Sequence, residues 1–545
     1  MKIDSEFRYD INFPVKIIYT AGNVEGAENL LDKKELQITT SENKYTALKN
    51  SLRSTPAEII IDFGKEFNGS ARILTYTAHG KSPEIQITYG ESVSEAMSEP
   101  GFKGATNDHA LRDFSCHLPS YSDMTFTESG FRFLRIKLLT KNAEIKIKSV
   151  VLVSKIRDIP YLGTFRCSNE IINRIFDTSA YTCHLNMQQF IWDGIKRDRL
   201  VWVGDMHPEM LTVRTIFGNH PIIKDSLNFM RKQTPLPRWM NGMPTYSLWW
   251  LIILYDWYFY SGDEDFLSEN SEYARELIKI IHNLVNDDGT DNLPSYFLDW
   301  PCNEKPEAIS GSRALLCIAL NCASKLCEIF NDPEMEIKCE NKMKILQSQE
   351  LMSYGAKQVT AIASLGGCID KNSAAEEILR DSSVGWSTFM SYYLLKAASF
   401  ADMTSTLKAL EEYYGGMLNM GATTFWEDFD IMWLKNAAPI DKIPEKGKSD
   451  IHADNGRFCY SGLRHSLCHG WSSGPAPFLS ERVLGINIEK AGCRIISIKP
   501  DLGNLDFAEG TFPTPYGIVS VSCKKIGNEI EITYNAPPEI EIITQ

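Results

Sequence analysis

From about Glu58 to Val153 the chain alternates. EIIIDFG, SARILTYTA, EIQITYG, FRFLRIKLL and EIKIKSVVLV are short β-branched or aromatic runs parted by Gly, Ser, Pro or Asn. A period of two sends successive side chains to opposite faces of a strand, so this stretch predicts a β-sandwich. The fifty residues before it hold one strand-like run, Val15 to Tyr19, and otherwise read as irregular lead-in.

The period changes near Phe165. Ser168 is placed to cap a helix with Glu170 in its first turn, and Ile171, Ile172, Ile175 and Phe176 follow at helical spacing. Helices dominate from there to about Leu479: Pro221 to Met230, Ser247 to Tyr260, Tyr273 to Val285, Ser312 to Phe330, Ala374 to Leu379, Trp386 to Phe400 and Met403 to Tyr414. SLWWLIILYDWYFY and RALLCIALNCASKLCEIF are apolar almost all round, which demands cover on more than one face. An inner ring of helices inside an outer ring meets that demand, and roughly 310 residues would supply about a dozen helices. After Gly485 the period of two returns in CRIISIKP, YGIVSVSCKKIG and NEIEITYNA, the last two joined by a hairpin turn at Gly527 and Asn528. The expected architecture is multidomain: an N-terminal β-sandwich over 1–160, a central all-α (α/α)6 barrel over 161–480 and a small C-terminal β domain over 481–545.

With 545 residues, 43% of them hydrophobic, the chain can bury large cores, and a small binding module is excluded. Lys and Arg number 56 against 70 Asp and Glu, and the net charge of -14 opposes nucleic acid and anionic membrane surfaces as partners. The 13 Cys form neither CxxC pairs nor a Cys/His array, which fits buried thiols in a reducing compartment. The opening MKIDSEFRYDINFPVKIIYT has no apolar leader and reads as cytoplasmic, with a periplasmic home open if a leader has been removed. Leu248 to Tyr260, the most apolar run, contains Asp256 and falls short of the roughly 20 residues a membrane span needs, so it reads as a buried helix.

Charge is densest in DGIKRDRLVWVGDMHPE, Asp193 to Glu209, where carboxylates, Lys196, Arg197 and Arg199 are threaded among Trp192, Leu200, Val201, Trp202 and Val203. Apolar residues in such company point to a buried site, where pairing or a shifted pKa is obligatory and acid/base groups are made. An exposed loop with ordinary ion pairs is the competing reading. A second carboxylate, Glu427, follows Phe425 and Trp426 in GATTFWEDFD, where it could equally start a helix. RHSLCHGWSSGP, Arg464 to Pro475, adds two His that would ordinarily be core residues. No HExxH or other metal spacing occurs, nor GxSxG, Walker A or GxGxxG after a strand, so no metal and no cofactor are expected. Two separated carboxylates among aromatics remain, which is what glycoside hydrolysis requires.

These segments resemble glycoside hydrolase family 78, the inverting α-L-rhamnosidases. The likeness rests on IIIDFGKEFNG, ITYGESVSEA, ESGFRFLRI, DGIKRDRLVWVGD, GATTFWE and HSLCHGW, in that order along most of the chain. It implies an (α/α)6 barrel between β domains and an exo-acting enzyme that removes terminal α-L-rhamnose from glycosides or polysaccharide side chains. By the same resemblance Asp198 is the general acid, flanked by Arg197 and Arg199, and Glu427 the general base. Asp193 and Asp205 would bind rhamnosyl hydroxyls, Trp202 would wall the subsite, and His469 would line the same pocket. Trp249, Trp250, Asp299 and Trp300 fall where the family adds contacts to the sugar. Many relatives carry a longer motif with Glu at the acid position; the shorter Asp-Arg form here keeps Asp193 open as a substitute acid. Other sugars (L-mannose, L-lyxose or a uronate) and a catalytically silent carbohydrate-binding protein are the alternatives, and the motifs leave the oligomeric state open.

Overall fold

A computed structural model describes residues 6–303, 306–458, 461–527 and 529–544. The chain begins with one nine-stranded antiparallel sheet between Phe7 and Arg157, built around three long strands, Glu58–His79, Ser122–Leu138 and Ala143–Arg157. The alternation seen in the sequence is real, yet both faces are buried. Ile59, Ile61 and Phe131 enter the main core of the sheet, while Ile60 and Phe133 meet Val93 and Ala96 of the short helix Val93–Met97 on the other face.

The lead-in is more ordered than expected. Phe7–Asn12, Lys16–Ala21, Asn23–Glu25 and Thr46–Asn50 are all strands of this sheet. The first three bury few side chains, so they leave little alternation to read in the sequence.

Twelve α-helices, from Glu170–Asn186 to Pro475–Phe478, lie in the central region among the described residues. Asn169, not Ser168, caps the first of them, accepting hydrogen bonds from the amides of Ile171 and Ile172; Ser168 instead accepts one from the amide of Asp506. The two all-apolar runs become Pro244–Ser261 and Glu307–Ile329, enclosed in one large core. The helix expected from Trp386 starts only at Ser391, because residues 386–390 turn to support the pocket described below.

Toward the C-terminus, Ile486–Lys490, Ile495–Ile498 and Glu541–Thr544 form a three-stranded sheet. Phe507–Thr514, Gly517–Ile526 and Glu529–Asn535 form a second sheet with Thr164–Cys167. Its hairpin is present, although Asn528 of the expected turn lies outside the described residues. Phe165, Ile496, Phe512 and Val519 belong to the same core as the helices, so these sheets share their interior with the central region. Among the described residues no helix is long and apolar enough to cross a membrane.

Candidate active site

The segment Asp193 to Asp205 leaves the helix Glu170–Asn186 as an irregular loop, pinned where Gly194 pairs with His469 and the Gly470 amide donates to the Asp193 carbonyl (2.7 Å). A β-carbon at Gly194 would meet the Arg197 carbonyl at 2.8 Å, so the close turn depends on glycine. At Arg199 the backbone is left-handed (φ 60°) and the side chain turns out of the site, donating to Glu128 of the sheet at 2.9 Å and lying over Trp192. Arg199 therefore serves the loop and, contrary to expectation, does not flank the Asp198 carboxylate.

Arg197 does. Its guanidinium donates to Asp198 Oδ1 at 3.0 Å and to Glu427 Oε1 at 2.8 Å, joining two carboxylates that lie 229 positions apart in the chain. Burial opposes its charge, but Glu427 and Asp198 more than offset that and hold Arg197 above its ordinary value. The remaining oxygen of Glu427 accepts from the Ser466 amide (2.8 Å), and its carbonyl accepts from Thr388 Oγ1 (2.6 Å) and Trp471 Nε1 (3.1 Å). Asp198 Oδ2 accepts from Trp202 Nε1 (3.2 Å), and His109 Nε2 stands 3.4 Å from Oδ1. The Asp198 side chain is 19% exposed and that of Glu427 3%.

Below these two lies a floor of buried carboxyls. Asp193 Oδ1 accepts from the Leu200 amide, and Asp205 accepts from the Tyr246 hydroxyl (3.0 Å) instead of capping the helix Met206–Ile216 that begins beside it. One turn on, Glu209 has no hydrogen-bond partner on either oxygen among the described residues; a β-carbon at Gly470 would fall 1.5 Å from its Oε1. Burial first, then neighbouring carboxylates, hold Asp193, Asp205 and Glu209 well above the usual carboxylate range. His469 Nε2 sits 3.7 Å from Asp193 and 3.9 Å from Asp205, and burial, reinforced by Arg197, holds the imidazole well below its usual value. Burial thus biases these groups toward their neutral forms, which can both donate and accept hydrogen bonds and suit the hydroxyl groups of a ligand.

Asp198, Glu427, Asp193, Asp205 and His469 open on one pocket of about 450 Å³, lined also by Trp202, Trp300, Leu200, Phe297, Met243 and Trp471, while Glu209 lies behind it. Of the residues expected from sequence, it brings together Asp193, Arg197, Asp198, Trp202, Asp205, Trp300, Glu427 and His469. Asp299 lies outside the lining, accepting from Ser387 Oγ and the Trp300 amide, and burial pushes it up to about 6. Trp249 and Trp250 are corrected: both are core. Trp249 stacks on His207, and Trp250 donates to the Leu227 carbonyl. On a helix apolar all round, nothing in sequence marks the pocket-facing turn, which carries Met243 and Tyr246 instead.

His109 and Asn241 also line the pocket without any sequence signal, and Arg464 and Trp471 join them from the RHSLCHGWSSGP phrase. His109 comes from the connection between two strands of the N-terminal sheet, whose neighbour Asp108 pairs with Arg464 at 2.9 Å; no local motif announces it. Among the described residues, Glu91, Glu95 and His452 are close enough to share a metal ion. The Lys196 ammonium already occupies that position, 3.0 Å from Glu91 and 3.2 Å from Glu95.

Residues 160–338 match the family described as the bacterial alpha-L-rhamnosidase 6 hairpin glycosidase domain. An alpha-L-rhamnosidase of Alteromonas sp. (strain LOR) is 23% identical over 536 residues, covering 88% of this chain and 55% of that protein. One from Formosa agariphila is 24% identical over 166 residues, covering 29% of this chain and 17% of that protein. The chain thus spans about half or less of these relatives. Among solved structures, the GH78 family rhamnosidase of Bacillus sp. GL1 superposes with a TM-score of 0.75 at 21% identity, over 95% of this chain and 55% of that one. The rhamnosidase from Klebsiella oxytoca with rhamnose bound gives 0.67 at 18% identity, over 87% of this chain and 95% of that one.

Proposed function

We propose that this chain, which is α-L-rhamnosidase-like in sequence and shares the fold of family 78 structures, is a glycoside hydrolase that removes terminal α-L-rhamnose by an inverting two-carboxylate reaction. The helices would form an (α/α)6 toroid over 161–480, with β domains over 1–160 and 481–545. One observation carries the reading: a single guanidinium, Arg197, holds Asp198 and Glu427 in the same pocket. Its two bonds, 3.0 Å to Asp198 and 2.8 Å to Glu427, keep both carboxylates beside the same cavity. Inverting enzymes hold their carboxyl groups roughly 6.5 to 9.5 Å apart, with a water between base and sugar.

In this reading Glu427, enclosed and held at both oxygens, takes a proton from the attacking water. Asp198, the more exposed of the pair, faces the side where a leaving group departs and gives the proton to the glycosidic oxygen. Asp193, Asp205 and His469 bind sugar hydroxyls, while Trp202 and Trp300 offer apolar faces to the ring and its C6 methyl. The buried position of Asp193 beside Asp205 suits binding better than proton delivery to an aglycone.

Hydrolysis of p-nitrophenyl α-L-rhamnopyranoside followed by proton NMR tests the proposal. β-L-rhamnose is the expected first product. Initial release of the α-anomer overturns inversion, and no release overturns the activity.

A further inference from the structure

We infer that Glu91, a residue of the N-terminal sheet region, is a positioning residue for Glu427, so that the sheet region completes the catalytic centre instead of merely flanking it. The inference rests on the function proposed above and starts from how Glu427 is held. Two groups grip its carboxylate, the Arg197 guanidinium and the Ser466 amide. Both lead back to Glu91. The amide next along from Ser466, that of Leu467, donates to Glu91 Oε2 at 2.6 Å, and Ser466 Oγ donates to Glu91 Oε1 at 3.0 Å. Adjacent backbone amides therefore point at two different carboxylates, and fixing one orients the other. On the opposite side Lys196, the residue before Arg197, sits 3.0 Å from Glu91 Oε2 and donates to the carbonyls of Leu463 and His465.

The result is a closed circuit: Glu91 to Lys196, along the backbone to Arg197, across to Glu427, and back through Ser466. All of its members are buried. The loop carrying Glu427 is docked on the same sheet, since Arg132 donates to the Gly421 carbonyl (3.0 Å) and the Glu66 amide donates to Thr423 Oγ1 (2.9 Å). A buried carboxyl is costly to keep unless its bonds matter. Burial and then Glu95 act against ionisation of Glu91, which Lys196 and the Leu467 amide resist, leaving it raised to about 7.

Glu95 supplies the internal comparison. It touches Lys196 and the Glu91 amide, but neither Ser466 nor Leu467. A role confined to holding the two regions together predicts similar losses from either glutamate, whereas positioning of Glu427 predicts a larger loss from Glu91.

The test uses the full chain with p-nitrophenyl α-L-rhamnopyranoside, L-rhamnose binding by calorimetry, and thermal melting. Glu91→Gln is expected to lower kcat about 10- to 100-fold, as misplacement of a reacting group by about 1 Å does, while KM and L-rhamnose affinity stay within about threefold. Glu95→Gln should lose several-fold less. Because Glu91 acts through Glu427, the double variant Glu91→Gln/Glu427→Gln should be no slower than Glu427→Gln alone. A kcat for Glu91→Gln within twofold of the parent, equal losses from the two glutamates, or additive losses in the double variant would each overturn the inference. Should Glu91→Gln fail to fold, Ser466→Ala, which removes the hydroxyl's bond to Glu91 together with its contacts to the Cys468 backbone, must still lower kcat at least threefold with KM unchanged, and an unaltered kcat there overturns it. An unsubstituted chain that leaves the rhamnoside intact refutes the proposed function and this inference with it; an active chain indifferent to Glu91→Gln refutes this inference alone.

Discussion

The floor and the mouth of the pocket are built from opposite materials. Asp193, Asp205 and His469 at the floor are all nearly inaccessible, drawn from two segments of the helical region, and burial biases each toward its neutral form. Asp198, Leu200 and His109 at the mouth are partly exposed, and His109 arrives from the N-terminal sheet on a left-handed backbone (φ 64°). A floor so fixed suits a part of the ligand that never changes, and a mouth assembled from two regions suits a part that varies. Glu427 belongs with the floor and Asp198 with the mouth. If that division is correct, substitutions at the two carboxylates must differ in kind.

Glu427→Gln gives the largest effect. Loss of the base should lower kcat about 1,000-fold or more, equally for dinitrophenyl and simple alkyl rhamnosides, because water activation does not depend on the leaving group. Asp198→Asn should cost about 100- to 1,000-fold on an alkyl rhamnoside and much less on a dinitrophenyl rhamnoside, whose leaving group needs little protonation. Steady-state rates across a series of leaving groups check both. Equal sensitivity of the two variants to the leaving group would reverse or abolish the acid and base assignments.

How far the sequence anticipates this division follows from the same contrast. DGIKRDRLVWVGD brings Asp193, Arg197, Asp198, Trp202 and Asp205 into one short segment, so a local motif carries five of the pocket's polar and aromatic residues. Glu427 and His469 were reached through the resemblance to family 78, since their local sequence alone fits a helix start and a core histidine equally well. His109 was not, since an exposed histidine between two strands carries no pattern, and only the fold brings it across to Asp198. Trp249 and Trp250 failed for a different reason: a helix buried on every side has no apolar stripe from which to choose a face. The long strands were plain from their runs of β-branched and aromatic residues, while the sparsely buried early strands were not, because a strand that buries few side chains has few apolar positions to read.

Tyr246→Phe probes the floor more gently. It removes the hydrogen bond to Asp205 and leaves the ring in place, with an expected cost of about 1 to 2 kcal/mol in L-rhamnose binding, roughly a 5- to 30-fold weaker Kd by calorimetry. An unchanged Kd would remove Asp205 from sugar recognition.

The burial of Glu209 beside the floor carboxyls also has a consequence for stability. Glu209 has its folded pKa raised by burial, so its contribution is fully present below the unfolded value, near pH 4.3, and is lost as pH rises toward the folded one. Glu209→Gln cannot ionise and escapes that loss. Its Tm relative to the parent should therefore increase between pH 5 and pH 8, as differential scanning calorimetry would read. A difference that stays flat, or falls, would mean that Glu209 is charged in the folded protein.

His109→Ala is the mildest substitution and tests the mouth alone. The imidazole is 3.4 Å from Asp198 Oδ1 but makes no contact with the floor carboxyls, and its side chain is about one-third exposed. Its removal should leave Kd for free L-rhamnose within about twofold, since an exposed polar contact is worth at most about 1 kcal/mol. The cost should appear instead as a few-fold change in kcat/KM that varies from one aglycone to another, because in the proposed reaction Asp198, which the imidazole faces, protonates the leaving alcohol. Competition assays with two rhamnosides of different aglycone resolve such a difference even when it is small. A uniform loss across aglycones accompanied by weaker rhamnose binding would mean that the sheet region reaches the sugar itself, and the boundary between floor and mouth would have to move outward to include it.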